Sequence, residues 1–143
     1  YNIWRGWADN KVNCDYGLHS VITNWDDVET PKEMKKMVEL GVSTFKFFMA
    51  YKGELKIDDM SMMKAFDVAR ELGALVMVHS EYGDIIYANQ QRIVAKGVTG
   101  PEGHYYARPE SVEAEAVHRI ITIAENINCP LYIVHLMSKE SSE

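Results

Sequence analysis

Short apolar runs alternate with amphipathic segments along most of the chain. Three runs, at residues 44–49, 74–79 and 131–136, are apolar almost throughout, and a weaker one covers residues 15–23. Strands that are covered on both faces show such unbroken apolar runs, whereas the segments between them repeat apolar residues at helical spacing. The pattern predicts the order β-α-β-α-β-α-β and a parallel sheet flanked by helices.

Residues typical of helix ends bracket the amphipathic segments. Thr30, Pro31 and Glu33 match a capping box and predict a helix that begins at Thr30, and Gly41 predicts where it stops. The other predicted helices start at Asp58, at Asp84 and at Pro109. A loop rich in Gly and Pro is predicted at residues 99–104.

A doubly wound sheet and a (β/α)₈ barrel both fit this order of elements. A complete barrel needs about 250 residues, whereas the chain has 143. Four strands are therefore about half of a barrel, and such a half leaves open, apolar parallel edges. We expect one partial domain over residues 1–143, and, because the chain does not begin with Met, further residues upstream.

The composition narrows the classes of function. The chain is 47% hydrophobic and 25% charged, as in ordinary globular proteins, and its net charge of −6 argues against nucleic acid as a partner. No apolar run is long enough to cross a bilayer. Cys14 and Cys129 form no CxxC pair, so we expect two reduced, buried thiols in an intracellular protein.

Three polar residues interrupt the apolar strands. Lys46 lies inside one run, and His79 and His135 stand near the ends of the next two. Ligands and catalytic groups collect at the carboxyl ends of parallel strands. The equivalent placement on three successive strands predicts that the three side chains converge.

Lys46 allows two interpretations. It shares one face of its strand with Phe48, because neighbouring residues face opposite ways. A buried ammonium is costly unless it is paired, so one interpretation is a partner carboxylate or a side chain that reaches solvent at the strand end. The other is that burial lowers the lysine pKa, and the neutral amine takes up CO₂ to become a carbamate that bridges two metal ions.

The two histidines are also ambiguous by themselves. A single His at a strand end is more often a hydrogen-bonded core residue, but two of them together with Lys46 favour a metal site, and imidazole suits zinc. Spacing leaves both interpretations open. Tyr51 follows Lys46 just past the strand end, where its phenol could stabilise an oxyanion or simply pack on the rim.

Three further histidines give weaker signals. His19 lies inside the first predicted strand and is expected in the core. His104 lies in the loop rich in Gly and Pro and is expected to be structural or at a subunit contact. His118 is expected to be solvated or paired with Glu115 on the last long helix.

Several segments resemble the dihydropyrimidinase and hydantoinase family of the amidohydrolase superfamily. The segments that resemble its metal-ligand strands are residues 45–52, 78–81 and 132–135. Further segments match in the same order, at residues 97–104, 108–110, 113–116 and 128–132. The resemblance covers nearly the whole chain.

The resemblance implies a zinc-dependent hydrolase that opens dihydropyrimidine or hydantoin rings to N-carbamoyl amino acids. Lys46 would be an N-carboxylated ligand that bridges two Zn²⁺, and His79 and His135 would bind the second metal ion. Tyr51 would hold the carbonyl of a small cyclic diamide substrate. The implied fold is an amidohydrolase-type TIM (β/α)₈ barrel with a small β-sandwich, in a cytoplasmic homotetramer.

Some family features do not lie in these residues. The resemblance places a His-x-His pair upstream of Tyr1 and a catalytic Asp beyond Glu143. Ser80 stands where the family usually has Ala, and Tyr82 where it more often has Asn. These two departures are expected to alter the shape near the site rather than the metal ligands.

Other functions fit parts of the pattern. The dihydropyrimidinase-related (collapsin-response mediator) proteins are non-enzymatic cytosolic scaffolds that generally lack the ligand set, so the presence of Lys46, His79 and His135 favours an enzyme. Allantoinases and dihydroorotases are closer chemical alternatives, but residues 49–52 suit them poorly. An unrelated alternative is an α/β binding domain whose histidines are structural.

Overall fold

One parallel sheet organises the chain. The computed structural model describes all residues from Tyr1 to Glu143. Its strands are β1 (Ser20–Val21), β2 (Thr44–Phe48), β3 (Leu75–His79) and β4 (Leu131–Ile133). They pair in chain order, and every pair is parallel. The predicted sheet of four parallel strands with intervening helices is confirmed.

Six helices connect or flank the strands. They are α1 (Asn2–Ala8), α2 (Glu29–Glu39), α3 (Asp59–Glu71), α4 (Gly83–Ala95), α5 (Glu102–Tyr106) and α6 (Glu110–Ile127). Three of them, α2, α3 and α6, contribute residues to a core of 17 buried side chains beneath the sheet. None of the six combines the length and hydropathy that a membrane-spanning helix requires.

Helix α3 follows the sequence prediction closely. The carboxylate of Asp58 accepts hydrogen bonds from the backbone amide of Ser61 at 3.0 Å and from its hydroxyl at 2.7 Å, which caps the first turn. Met62, Phe66 and Ala69 are completely buried on its inner face. The helix therefore has both a local start signal and a core-facing stripe.

Helix α2 starts differently from the prediction. The carboxylate of Asp26 accepts the amides of Val28 and Glu29, both at 2.8 Å, and the helix begins at Glu29. The hydroxyl of Thr30 accepts the amide of Asp26 at 3.0 Å instead of capping a later residue. The predicted capping box at Thr30 is wrong, because the carboxylate of Asp26 already accepts hydrogen bonds from the free backbone amides at the start of the helix.

Other boundaries also differ. The first strand shrinks from residues 15–23 to Ser20–Val21, and β4 ends at Ile133 rather than Leu136. Both are edge strands with one neighbour each, so only one hydrogen-bond ladder holds them. The loop predicted at residues 99–104 contains the start of α5, and α1 was not predicted.

The two faces of the sheet are covered unequally. Phe45, Phe47, Val76 and Val78 face the helices and are completely buried. The alternate residues face the other way and are only partly covered; they include Thr44, Lys46, Phe48, Leu75 and Met77. Within these residues, one face of the sheet is a packed core and the other is open.

Two of the minor predictions, the burial of Cys14 and the burial of His19, need correction. Cys14 is exposed, although Cys129 is buried as expected and both thiols are free. Burial raises the pKa of the Cys129 thiol to about 11. His19 is exposed rather than in the core, and its Nδ1 lies 2.5 Å from the hydroxyl of Thr44.

Candidate functional site

The two strand-end histidines meet at the carboxyl edge of the sheet. His79 is the last residue of β3, and His135 follows β4 by two residues. His79 Nδ1 lies 3.0 Å from His135 Nε2, and the ring centroids are 4.6 Å apart. His79 is buried, whereas His135 is exposed. A nitrogen of each ring therefore faces the other.

A left-handed backbone accompanies this approach of His135. Leu131 and Ile133 pack against the helix-side core, so regular alternation would point His135 to the same side. Instead the strand ends at Ile133, and His135 has a φ of 40°, a conformation uncommon for residues with a side chain. The sequence pattern, which continued the strand to Leu136, contained no signal for this turn.

Lys46 lies on the open face of β2 without a carboxylate partner. Its Nζ donates to the carbonyl of Phe47 at 3.0 Å and lies 3.7 Å from the ring centroid of Phe48. Burial lowers the pKa of the Lys46 ammonium to about 8. Among these residues no carboxylate pairs with Lys46, and the lowered pKa favours the neutral amine.

The ring of Phe48 contacts both Lys46 and His79. Its centroid lies 5.7 Å from that of His79, with the two planes tilted by 30°, while the Lys46 ammonium contacts the same ring. Lys46 is thus on the same face of the sheet as His79, and no hydrogen bond joins it to either histidine.

Tyr51 lies beside His79 on a fixed loop. Its ring centroid is 5.2 Å from that of His79. The backbone of Tyr51 has a φ of 63°. Its carbonyl accepts hydrogen bonds from the amides of three following residues, at 3.1, 3.0 and 3.2 Å, and these residues are Glu54, Leu55 and Lys56. The turn therefore holds Tyr51 in a conformation that a free chain rarely adopts.

The start of α4 anchors this loop. Asp84 forms ion pairs with Lys52, at 2.8 Å, and with Lys56. Hydrogen bonds from these two lysines lower the pKa of Asp84 to about 2. A Cβ at Gly83 would lie 2.6 Å from the carbonyl oxygen of Met49, so only glycine allows the loop and the helix to pack this closely.

A carboxylate occupies the other nitrogen of His79. Glu81 Oε2 lies 2.5 Å from His79 Nε2, and Glu81 Oε1 lies 3.3 Å from Arg108 Nε. Burial opposes ionisation of Glu81, but the hydrogen bond from His79 and the charge of Arg108 outweigh it and lower the Glu81 pKa. Sequence reasoning assigned no role to either residue; the only signal was an acidic residue two positions after the strand-end histidine.

A cavity of about 420 Å³ opens beside the two histidines. Its walls also include Glu81, Arg108 and Glu113. The volume lies within the range of small-molecule sites. The carboxylate of Glu113 accepts hydrogen bonds from the backbone amide of Met137, at 3.1 and 3.2 Å to its two oxygens, and from that of Ser138, at 2.6 Å. These bonds fix the segment after β4 against the cavity.

His104 and His118 take no part in the contact between His79 and His135. His104 is exposed on α5, and its Nδ1 is 3.1 Å from a guanidinium nitrogen of Arg108. His118 is exposed on α6, where Glu115 pairs with Arg119 at 3.1 Å instead.

The donor set fits part of a zinc site. Facing imidazole nitrogens are the ligands that zinc prefers, and His79 Nε2 is already oriented by a carboxylate, as is usual for histidine ligands. No group of three or more His, Cys, Asp or Glu side chains is arranged to hold a metal ion. The residues present would therefore supply two ligands of a larger set.

Known proteins match the chain over its whole length. It is 50% identical to a dihydropyrimidinase of Rattus norvegicus over 144 aligned residues, which cover 100% of the chain and 28% of the relative. It is 42% identical to a D-hydantoinase of Ralstonia pickettii, covering 98% of the chain and 30% of the relative. No family profile matches the chain.

Solved structures agree with these relatives. A D-hydantoinase structure superposes with a TM-score of 0.93 at 41% identity, covering 99% of the chain and 31% of that structure. A dihydropyrimidinase from Brevibacillus agri gives 0.93 at 35% identity, with 98% and 30% covered. The chain thus spans less than a third of its relatives' length. The predicted part of an amidohydrolase-type (β/α)₈ barrel is confirmed, and the scaffold alternative is not favoured.

Proposed function

We infer that the whole protein is a metal-dependent cyclic amidohydrolase. The sequence and the fold of this chain match one segment of dihydropyrimidinases and hydantoinases, which supports the proposal. It would open dihydropyrimidine or hydantoin rings to N-carbamoyl amino acids. The observation that carries the proposal is the meeting of His79, His135 and Tyr51 at the carboxyl edge of this sheet. That edge is where parallel α/β folds carry their active sites.

The proposed cofactor is a pair of zinc ions. His79 and His135 would bind one of them, and Lys46, as a carbamate, would bridge both. When bound, the two ions would lower the pKa of a water molecule and polarise the ring carbonyl. The remaining ligands would come from other segments of the protein, as the family resemblance implies.

Lys46 has the properties that carbamate formation requires. Its neutral amine would attack the carbon of CO₂: a nitrogen–carbon bond would form, the electron pair of one C=O π bond would move to oxygen, and the nitrogen would lose a proton to solvent, which gives an anionic carbamate. The lack of a carboxylate partner and the lowered Lys46 pKa support this step, because both favour the neutral amine. The product replaces a cation with oxygen ligands.

Tyr51 would act on the substrate directly. Its phenol would donate a hydrogen bond to the ring carbonyl oxygen as negative charge develops there. The fixed loop supports this role, because a donor that is already oriented needs no reorganisation during the reaction.

We further propose a homotetramer in the cytoplasm that acts on a small cyclic diamide. The family resemblance supports the assembly, the location and the partner. Size-exclusion chromatography with light scattering on the full-length protein measures the assembly.

The proposed activity can be tested on the full-length protein that contains this chain. We expect purified protein to hold zinc and to convert dihydrouracil or hydantoin to the N-carbamoyl product, and His135→Ala to lose both properties. His118→Ala changes an exposed histidine outside the site and is the matched control. A full-length protein that holds no divalent metal and opens neither ring would contradict the proposal and would favour a binding domain with structural histidines.

A further inference from the structure

Both ring nitrogens of His79 have partners, but the partners differ in kind. Nδ1 faces another histidine, at 3.0 Å, whereas Nε2 faces the carboxylate of Glu81, at 2.5 Å. An ionised carboxylate has no proton to donate and can only accept hydrogen bonds. Nε2 must therefore be the donor, so the carboxylate of Glu81 holds the His79 proton on Nε2. The lone pair of a neutral His79 is then on Nδ1, the side that faces His135.

The carboxylate of Glu81 is itself held in place. Its second oxygen lies 3.3 Å from Arg108 Nε, and the side chains of Glu81 and Arg108 are only 15% and 11% exposed. Arg108 also donates to the carbonyl of His104 at 3.4 Å. Each oxygen of Glu81 thus has its own partner, and the carboxylate cannot rotate without losing one of them.

The backbone around Glu81 is fixed by a different element. The amide of Tyr82 donates to the carbonyl of Val112 at 2.9 Å, which ties the segment after β3 to the first turn of α6. Arg108 lies between α5 and α6, directly after the completely buried Ala107. The position of Glu81 therefore follows from the packing of α5 and α6 as well as from β3.

We propose that Glu81, anchored by Arg108, is a positioning residue that keeps His79 oriented with Nδ1 directed toward His135. The role rests on the proposed metal centre, in which His79 is a ligand. Carboxylates that accept the second N–H of a histidine ligand fix the ring orientation and make the ligand more basic, and their loss typically weakens metal binding by about 10–100-fold.

The test uses the full-length protein and measures zinc affinity by competition with a chromophoric chelator. We expect Glu81→Ala to bind zinc about 10–100-fold more weakly than the wild type. Glu81→Gln keeps the shape and one acceptor oxygen, so its loss should be smaller. Arg108→Ala should weaken binding in the same direction by freeing the carboxylate. Glu115→Gln removes a carboxylate on α6 that pairs with Arg119, and it is the matched control.

A second readout separates positioning from general damage to the fold. With cobalt in place of zinc, at saturating metal, the visible spectrum reports ligand geometry, and we expect it to change in Glu81→Gln while thermal unfolding of the metal-free protein stays near wild type. Unchanged zinc affinity and an unchanged cobalt spectrum in Glu81→Gln and Glu81→Ala would overturn the role of Glu81 alone. A wild-type protein that binds neither metal would instead overturn the proposed metal centre.

Discussion

At the scale of single residues, unfavourable backbone conformations occur at the candidate site. Four non-glycine residues have a positive φ, and two of these, Asn10 and Asn128, are of a type that tolerates it. The other two are Tyr51 and His135, both in contact with His79. Such conformations cost about 1–3 kcal/mol each and persist only where surrounding structure enforces them. Their location indicates that the orientation of these side chains is maintained at a cost in stability.

Tyr51→Phe removes only the phenol oxygen. If Tyr51 donates to the developing oxyanion, we expect kcat on dihydrouracil or hydantoin to fall by about 10²–10³ while zinc content stays at the wild-type level. Steady-state kinetics and metal analysis of the full-length protein measure both quantities. Tyr106→Phe, on an exposed tyrosine of α5, is the control. A wild-type kcat in Tyr51→Phe would rule out that role.

Lys46→Ala removes the proposed bridging group. We expect loss of zinc and of activity in the full-length protein, with partial recovery when a short carboxylic acid fills the gap and supplies oxygen ligands. Lys64→Ala, which removes a surface lysine paired with Asp27, should retain both properties. Full metal content and full activity in Lys46→Ala would show that the lysine bridges nothing.

Ser80 has a buried hydroxyl with no hydrogen-bond partner. A buried hydroxyl without a partner costs about 1–3 kcal/mol, so Ser80→Ala should raise the free energy of unfolding, by about 1 kcal/mol. Chemical denaturation of the full-length protein under reversible conditions measures the change. A clear loss of stability would indicate that the hydroxyl has a partner from another segment of the protein.

The sequence identified some site residues and could not identify others. Lys46, His79 and His135 were recognisable because each interrupts or closes an apolar run. The pairing of Glu81 with Arg108 joins the end of a strand to a junction between two helices, and no local pattern encodes such a contact. The turn at His135 was also invisible, because alternation along a strand carries no information about where the strand stops.

At the element scale, the loop from β2 to α3 is shaped by α4. The amide of Gly83 donates to the carbonyl of Met49 at 3.2 Å, and Asp84 holds two lysines of the same loop. The element that places Tyr51 is therefore a helix that follows it by about thirty residues in the chain. Hydrophobic periodicity predicted these elements but not this contact. A glycine at the start of a helix does not reveal from the sequence which backbone atoms will pack against it.

Gly83→Ala tests this contact. The new Cβ would lie 2.6 Å from the carbonyl oxygen of Met49 and 2.8 Å from the Cα of Ala50, and both are backbone atoms that cannot rotate away. We expect lower thermal stability and a lower kcat, because the loop that carries Tyr51 must shift. Gly103→Ala is the matched control, since its Cβ would meet its nearest neighbour at an ordinary 3.5 Å. Equal behaviour of the two variants would contradict the proposed anchoring.

At the scale of the whole molecule, only one face of the sheet is covered by helices. The helix-facing side is packed, but Val21 and Tyr132 on the other side are 50% and 54% exposed, and both edges of the sheet lack a neighbouring strand. In a complete barrel that open side is filled by side chains from all eight strands. Open parallel edges also invite association with other chains.

Residues 1–143 expressed alone should therefore be poorly folded or self-associated, and inactive in ring opening. The physical reasons are the open apolar face, the unpaired edges and a metal site with two histidine ligands. Light scattering, thermal unfolding and a ring-opening assay on the isolated segment measure these properties. A monomer with a sharp unfolding transition would show that the open face is tolerated, and metal-dependent hydrolysis would show that no further ligands are needed.

The unequal faces of the sheet also affect how such a protein can evolve. In β2, Phe45 and Phe47 belong to the packed side, while Lys46 and Phe48 belong to the open side with the candidate chemistry. Selection for stability and selection for reactivity therefore act on alternate positions of one short strand. Because the two sets of side chains point in opposite directions, a lineage can acquire a new substrate through one set while the other keeps the fold unchanged.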